Sequence, residues 1–231
     1  MLIHQIYGIF DDGKEMSELF KASSQGWKDY AERNNHIYKL WNKKECDELV
    51  DTFANIKEYY YDVKYPVMKC DILRFLIVYQ FGGMYSDLDV IPNQNVIEID
   101  ESKLTLCKYM NKKDNMDIEI ICSPKYNIDL FNFIAFYVPE QIKEKDITIP
   151  KAWIIRYIFN TTGPRSFRRY LKKEKMDFNI IPTIHLEKEQ KFGELEVDKI
   201  FGIEDISCLS YFSLSYNPHG NKNVMYKKKV S

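Results

Sequence analysis

Asp71, Arg74, Asp87 and Asp89 fall within nineteen residues of one another, on either side of a glycine pair, Gly82-Gly83. The first two sit in an apolar run that includes Ile72, Leu73 and Phe75 to Val78. The last two follow a short segment, Met84-Tyr85-Ser86. Asp71 and Arg74 stand at i, i+3 and share one face of a helix. Charged residues are rarely fully buried unless paired or bound. An acid and a base in so apolar a run therefore mark an internal ion pair or a ligand site. Asp87 and Asp89 at i, i+2 point to the same side of an extended strand. Two such carboxylates repel each other, and a hard cation such as Mn2+ or Mg2+, which prefers oxygen ligands, removes the repulsion. Taken alone, an acid-x-acid pair is as well explained by two solvated acids at a strand end.

The elements that must position these residues follow from the flanking pattern. Pro66 suits the first turn of a helix, where its missing N–H costs nothing. The run after it is apolar on nearly every face, so that helix is expected to be buried on most sides. Gly82 and Gly83 permit positive φ, which suits a helix C-cap and a tight turn. Residues 85–91 then read as a strand. Upstream, 2–9 and 37–41 read as strands around a helix at 18–33, with a short amphipathic helix at 45–53. The Tyr-rich stretch 56–65 fits either state. Downstream, 103–110, 118–123 and 178–182 read as strands, and 208–216 as a strand or strand pair. Residues 111–117 read as a polar turn. Asn127 is a natural N-cap for a helix over 128–137, and helices follow at 150–160 and 165–175. Residues 192–204 are polar and give no clear pattern. Strand alternating with helix argues an α/β fold with a largely parallel sheet. No repeat, low-complexity segment or linker divides the chain, so 1–231 is expected to be one domain.

The pattern Asp71-x-x-Arg74, Tyr79-x-x-Gly82-Gly83-x-Tyr85-x-Asp87-x-Asp89 resembles the DXD-type glycosyltransferases of family 32, which include capsular-polysaccharide enzymes. It is also similar to the catalytic domains of large clostridial glucosylating toxins. The resemblance implies a GT-A fold: a mainly parallel central sheet flanked by helices, with a Rossmann-like nucleotide-binding half and an acceptor half. It implies metal-dependent, retaining transfer of a hexose from a nucleotide sugar to a glycan or other hydroxyl acceptor, with Mn2+ or Mg2+ as cofactor. UDP-hexose is the first choice of donor and GDP-mannose the second. On this resemblance Asp71 and Arg74 bind donor-sugar hydroxyls, Asp87 lies near the ribose and the metal, and Asp89 ligates the metal. Gly83, Ser86 and Leu88 complete the donor-binding stretch. His4-Gln5-Ile6-Tyr7 resembles the family's N-terminal Ile-His-Gln-Ile-Trp, with Tyr7 in place of Trp, and is expected to border the nucleotide. Ligands of open α/β sheets lie at the carboxyl ends of strands. Leu40-Trp41 also matches, with Trp41 read as packing. Thr162-Gly163-Pro164 matches a Thr-Gly-Pro element at a helix N-terminus, where free N–H groups can meet an anion, although a plain turn reads equally well. Late in the chain His219 or Asn221 would complete the metal shell and Lys222 would pair with the diphosphate. Asn223 and Tyr226 depart there from the family's Ser and Trp.

Two rival functions fit parts of the pattern. Asp87-Leu88-Asp89 also fits the nucleophile and acid of a haloacid-dehalogenase-type phosphohydrolase, but that motif belongs after a first strand, and the rival leaves Asp71 and Arg74 unexplained. A non-catalytic sugar-nucleotide binder would carry the same residues.

Composition narrows the classes. Lys and Arg total 33 against 34 Asp and Glu, for a net charge of −1, which argues against a phosphate-gripping nucleic-acid binder. Five cysteines without a CxxC argue for free thiols and a reducing compartment. No apolar stretch reaches membrane-spanning length, and the first residues lack the basic and apolar regions of a signal peptide. A first strand opening at Leu2 leaves little expected upstream of it. A cytoplasmic protein is expected, and Lys227 to Lys229 allow peripheral contact with anionic membrane.

Overall fold

The computed structural model describes residues 1–10, 13, 15–93, 99–110, 116–143, 153–185 and 208–210. The first strand, β1 (Leu2–Ile6), leads through α1 (Glu18–Arg33) to β2 (Ile37–Trp41), and β1 and β2 pair in parallel. The Ser17 hydroxyl caps α1 by accepting from the Phe20 N–H. A full capping box between Asn42 and Glu45 starts α2 (Lys43–Asp51), satisfying two of the N–H groups that a helix start leaves open. The Tyr-rich stretch becomes α3 (Ala54–Tyr60).

The apolar run forms α4 (Pro66–Phe81), with Pro66 in its first turn and almost every residue from Val67 to Val78 buried. Phe75 illustrates how it is held. Its ring packs 4.8 Å from Phe133 and 4.6 Å from Phe167. Losing such a buried ring costs about 3–5 kcal/mol. The helix ends as its glycines suggest. Gly82 has φ +69° and donates to the Val78 carbonyl at 2.8 Å. Gly83 has φ +83°, and a Cβ there would lie 2.2 Å from the Leu2 carbonyl oxygen. Only glycine lets the chain reverse this close to β1.

From that turn β3 (Gly83–Ser86) runs parallel to β1 and antiparallel to β6 (Met116–Ser123). Here the structure departs from the sequence expectation of one strand through 85–91. The strand stops at Ser86, residues 87–89 form a turn, and β4 (Val90–Pro92) pairs elsewhere. The reason is local. The Val90 N–H turns back to the Asp87 carbonyl at 3.2 Å, while the Asp87 N–H still bonds the Glu119 carbonyl at 2.8 Å. The two acids therefore bracket a turn and do not alternate along a strand.

The remaining elements are β5 (Thr105–Tyr109), α5 (Ile128–Asn132), a π-helical turn (Phe133–Tyr137), α6 (Val138–Lys143), α7 (Ile154–Thr161), α8 (Pro164–Glu174), β7 (Asn179–His185) and β8 (Cys208–Ser210). Asn127 caps α5 as its position suggests. The expected polar turn ending at Asp117 gives way earlier, since β6 already begins at Met116. Residues 192–204 and the tail beyond Ser210 lie outside the described residues.

The described strands form one eight-stranded sheet in the order β2-β1-β3-β6-β5-β7-β8-β4. Four of its pairings are parallel and three antiparallel. The order places β4 five positions from β3, about 24 Å away in a flat sheet at ~4.8 Å per strand. The link from Ser86 to Val90 spans only about 14 Å fully extended. The sheet must therefore curl, bringing its β8–β4 edge back towards the end of β3. Trp27 and Ser23 of α1 seal that return by donating to the Val90 carbonyl at 2.9 and 2.6 Å. One core lies between α4 and the sheet, and a second, around Trp27, Tyr30, Met84 and Ile120, lies on the opposite face. All five cysteines are free thiols. Among the described residues no helix is long and apolar enough to cross a membrane.

Candidate active site

Helix and strand lengths explain why Arg74 and Asp87 meet. Eight residues of helix separate Arg74 from Gly82, about 12 Å at ~1.5 Å each. Five extended residues lead from Gly82 to Asp87, about 16 Å at ~3.3 Å each. The two arms of the hairpin are of similar length, so the side chains arrive together. Arg74 Nη1 lies 3.1 Å from Asp87 Oδ2, and Nη2 lies 3.1 Å from Asp71 Oδ1. Nη1 also donates to the Ile118 carbonyl at 2.8 Å, and Nε reaches the Cys70 carbonyl at 3.5 Å. A guanidinium has five N–H donors, so these contacts leave one on Nη2. Most of Arg74 is spent on fixing its neighbours.

Each acid has a second anchor. The Thr162 hydroxyl donates to Asp71 Oδ2 at 2.7 Å, and the Tyr85 hydroxyl donates to Asp87 Oδ1 at 2.7 Å. Arg74 also lies over the Tyr85 ring, 5.3 Å from its centre. Burial works against the Arg74 charge, but Asp87, Tyr85 and Asp71 outweigh it and hold the guanidinium protonated. Burial raises the Asp71 carboxyl above its usual range, against the opposing pull of Arg74 and Thr162. Burial likewise pushes Asp87 up to about 7, opposed by Arg74 and reinforced by the charge of Asp89.

A cleft opens over this group. It is lined by Asp71, Arg74, Asp87 and Asp89, and by Asp117, Ile118 and Glu119 of β6, with Ile158, Phe159 and Pro164 on its far wall. Sequence reasoning missed Asp117 and Glu119, although they form a second acid-x-acid pair. The spacing puts the strand start at Ile118, two residues after β6 begins, so Asp117 reads as part of a turn and the pair is split. The registers show what brings them in. One step along β5, from Leu106 to Cys107, matches four along β6, from Ile121 to Asp117. This irregularity disrupts the ladder there, as bulges beside active sites do, and Arg74 takes up the Ile118 carbonyl. Burial pushes Asp117 up to about 6. Glu119 is raised well above the ordinary glutamate value by burial and then by the charges of Asp117, Asp89 and Asp87. Its Oε2 is buried without a hydrogen bond of good geometry; the Ser210 and Tyr109 hydroxyls lie near the carboxyl without closing one.

The other predicted residues fall in two groups. His4 is 1% exposed and stands behind the site. Its Nδ1 accepts from Trp41 Nε1 at 3.2 Å and its Nε2 donates to the Gly82 carbonyl at 3.0 Å, so both ring nitrogens are used inside the protein. Gln5 is also fully buried. It donates to Ser23 Oγ at 3.1 Å and to the Asp87 carbonyl at 3.2 Å, and accepts from the Tyr38 hydroxyl at 2.9 Å. It braces the turn that carries the acids. Ile6, Tyr7, Gly83, Ser86 and Leu88 do not line the cleft, and Gly83 sits at the far end of β3 from Asp87. Trp41 packs, as expected, and Thr162 reaches the site through its side chain. His219, Asn221 and Lys222 lie outside the described residues.

Five carboxylates and one guanidinium line the cleft. The donors are all hard oxygens, and one buried carboxylate oxygen has no partner, so the residues fit Mn2+ or Mg2+. Among the described residues no three His, Cys, Asp or Glu side chains form a group that would hold the ion by themselves.

Residues 10–106 match the family described as "Glycosyltransferase sugar-binding region containing DXD motif". The match spans both arms of the hairpin and includes Asp71, Arg74, Asp87 and Asp89, while Asp117, Glu119 and the residues of α7 and α8 in the cleft lie beyond it. No curated protein sequence matches the chain. Among solved structures, "PaToxG Glycosyltransferase" is similar at 16% identity and a TM-score of 0.55, over 75% of this chain and 69% of that one. A looser likeness, at 9% identity and a TM-score of 0.43, is to a glycosyltransferase involved in the glycosylation of the major capsid of PBCV-1. It covers 90% of this chain and 92% of that one. The mixed sheet flanked by helices and the likeness to the first of these agree with a GT-A fold.

Proposed function

We propose that this chain is a metal-dependent, retaining glycosyltransferase that moves a hexose from a nucleotide sugar to a hydroxyl of a glycan or other acceptor. UDP-hexose is the first choice of donor and GDP-mannose the second. The observation that carries this reading is the shared guanidinium: Arg74 ties Asp71 and Asp87 together at 3.1 Å each, beside Asp89, within the matched sugar-binding region. Buried and doubly anchored, Asp71 presents a fixed acceptor for sugar hydroxyls, and the last Arg74 N–H presents a donor. Asp87 and Asp89 would hold the divalent cation, whose chemistry there is to neutralise charge on the departing diphosphate. His219, Asn221 and Lys222 are proposed to close over the same group from the tail.

Among the residues placed here, Asp87 is taken up by Arg74 and Tyr85 and Asp71 by Arg74 and Thr162, which suits neither for attack on a sugar. Substitution on one face of the sugar is favoured, with the leaving phosphate oxygen taking the acceptor's proton. The protein's part is then positioning and electrostatic stabilisation. Free thiols favour a reducing compartment and so a cytoplasmic setting.

The test is a thermal-shift panel of sugar nucleotides with and without Mn2+, followed by nucleotide release. A ligand that binds only the folded state raises its stability by mass action. Release of UDP or GDP from one sugar nucleotide, lost in Asp89→Asn, supports the reading. Full activity of Asp89→Asn under chelator, or phosphate release from monoesters alone, overturns it. Tight binding without turnover in any acceptor mixture makes the chain a binder.

A further inference from the structure

We propose that Glu119 is a ligand of the divalent cation, so that the metal shell of this chain is built from the Asp87–Asp89 turn and from β6 together. The proposal rests on the function argued above and deepens it at the same site.

Four observations converge on Glu119. It lines the same cleft as Asp87 and Asp89. Its main-chain oxygen accepts from the Asp87 N–H at 2.8 Å, which locks its position to the turn that carries both acids. The residue is 6% exposed, and its Oε2 has no hydrogen-bond partner. Finally, the cleft's lining cation is committed elsewhere: Arg74 bonds Asp71, Asp87 and the Ile118 and Cys70 carbonyls.

A buried carboxylate without a partner is costly, and its usual remedies are an opposite charge or a metal. Water is a poor remedy here. It can donate to Glu119 but cannot offset the like charges of Asp89 and Asp117 around it. A divalent cation does both. Asp117 is the weaker candidate, since its Oδ1 already accepts from the Ile118 N–H at 2.8 Å. Asp89 and Glu119 would bring one carboxylate from the turn and one from β6, and Mg2+-like ions bound by few carboxylates take further oxygens from substrate phosphate.

The experiment measures Mn2+ binding directly, by the loss of the free-ion electron paramagnetic resonance signal, on the full chain with UDP or GDP present. Wild type is expected to bind, and Asp89→Asn to fail. Glu119→Gln is expected to weaken Mn2+ by about tenfold or more, while its metal-free melting temperature stays level or rises, because the amide replaces a carboxyl crowded by other acids. Asp117→Asn is expected to bind like wild type. Wild-type affinity in Glu119→Gln, with Asp89→Asn inactive in binding, overturns the role of Glu119 and leaves the proposed function standing. Loss of affinity on His219→Ala but not on Glu119→Gln overturns it as well. No Mn2+ binding by wild type overturns both. If Glu119→Gln loses its near-ultraviolet circular dichroism, Glu119→Asp carries the test. It keeps the charge but withdraws the oxygens by one methylene. Weakened binding supports the proposal, and wild-type binding overturns it.

Discussion

Thr162 donates its hydroxyl to Asp71 at 2.7 Å across 91 residues of chain, with both side chains buried. The bond joins the C-cap of α7 to α4, and it fixes the carboxylate that Arg74 grips from the other side. Hydrogen bonds to charged groups contribute about 1.5–3 kcal/mol. Thr162→Val should cost that much in chemical denaturation and raise the donor KM more than it lowers kcat. Thr162→Ser, which keeps the hydroxyl, should restore both. Equal stability of the Val and Ser variants would count against the bond.

Arg74 answers a buried acid, Asp71, and a half-buried one, Asp87, at once, so its removal leaves both without a counter-charge. Breaking one side of a buried ion pair costs about 3–5 kcal/mol. Arg74→Met should lose at least that in urea unfolding. Arg74→Lys should recover only part, because a point charge cannot span Asp71, Asp87 and the Ile118 carbonyl together. If Lys restores full stability and donor affinity, the fork geometry is irrelevant.

His4 sets a pH dependence of known sign. Burial pushes its imidazole down to about 4, so the folded protein holds it neutral where the unfolded chain protonates near 6.5. Its contribution is fully present above pH 6.5, falls as pH drops through that window, and levels off below about 4. A shift of this size is worth on the order of 3 kcal/mol. The stability difference between wild type and His4→Asn should therefore shrink from pH 7.5 to pH 4.5 in urea titrations. A constant difference would mean that the imidazole does not titrate in this way.

Gly83 has room for no side chain. A Cβ there would meet the Leu2 carbonyl oxygen at 2.2 Å, and φ is +83°. Gly83→Ala should destabilise by at least about 2 kcal/mol, and hydrogen exchange should quicken in β1 and β3. By contrast, Gly13→Ala, with φ +67° and open space, should show strain without the clash and cost less. Equal costs would place the whole effect in the dihedral.

Much of this arrangement was legible beforehand, and for a physical reason. The helix at 66–81, its proline start and its glycine stop are local features, set by φ preferences and by apolar periodicity within a few residues. The i, i+3 spacing of Asp71 and Arg74 likewise places both on one face wherever the helix goes. The misses share a cause as well. Asp117 and Glu119 enter the cleft through a register irregularity between β5 and β6, and no local pattern encodes a register. His4 and Gln5 match a motif by identity. Their partners, Trp41, Gly82, Ser23, Tyr38 and the Asp87 carbonyl, lie far along the chain, and no local pattern shows those contacts.

The opening stretch shows the division most clearly. Sequence alone determined that an acid, a base and an acid-x-acid pair lie on two arms of nearly equal length about a Gly-Gly hinge, because helix rise and strand rise are constants of the backbone. Tertiary structure decided what each charge does there. It broke the strand at Asp87, spent four of the five Arg74 donors inside the protein, and drew a second acid pair to the same cleft. Those outcomes depend on which long-range partners are within about 3 Å, and that distance is a property of packing.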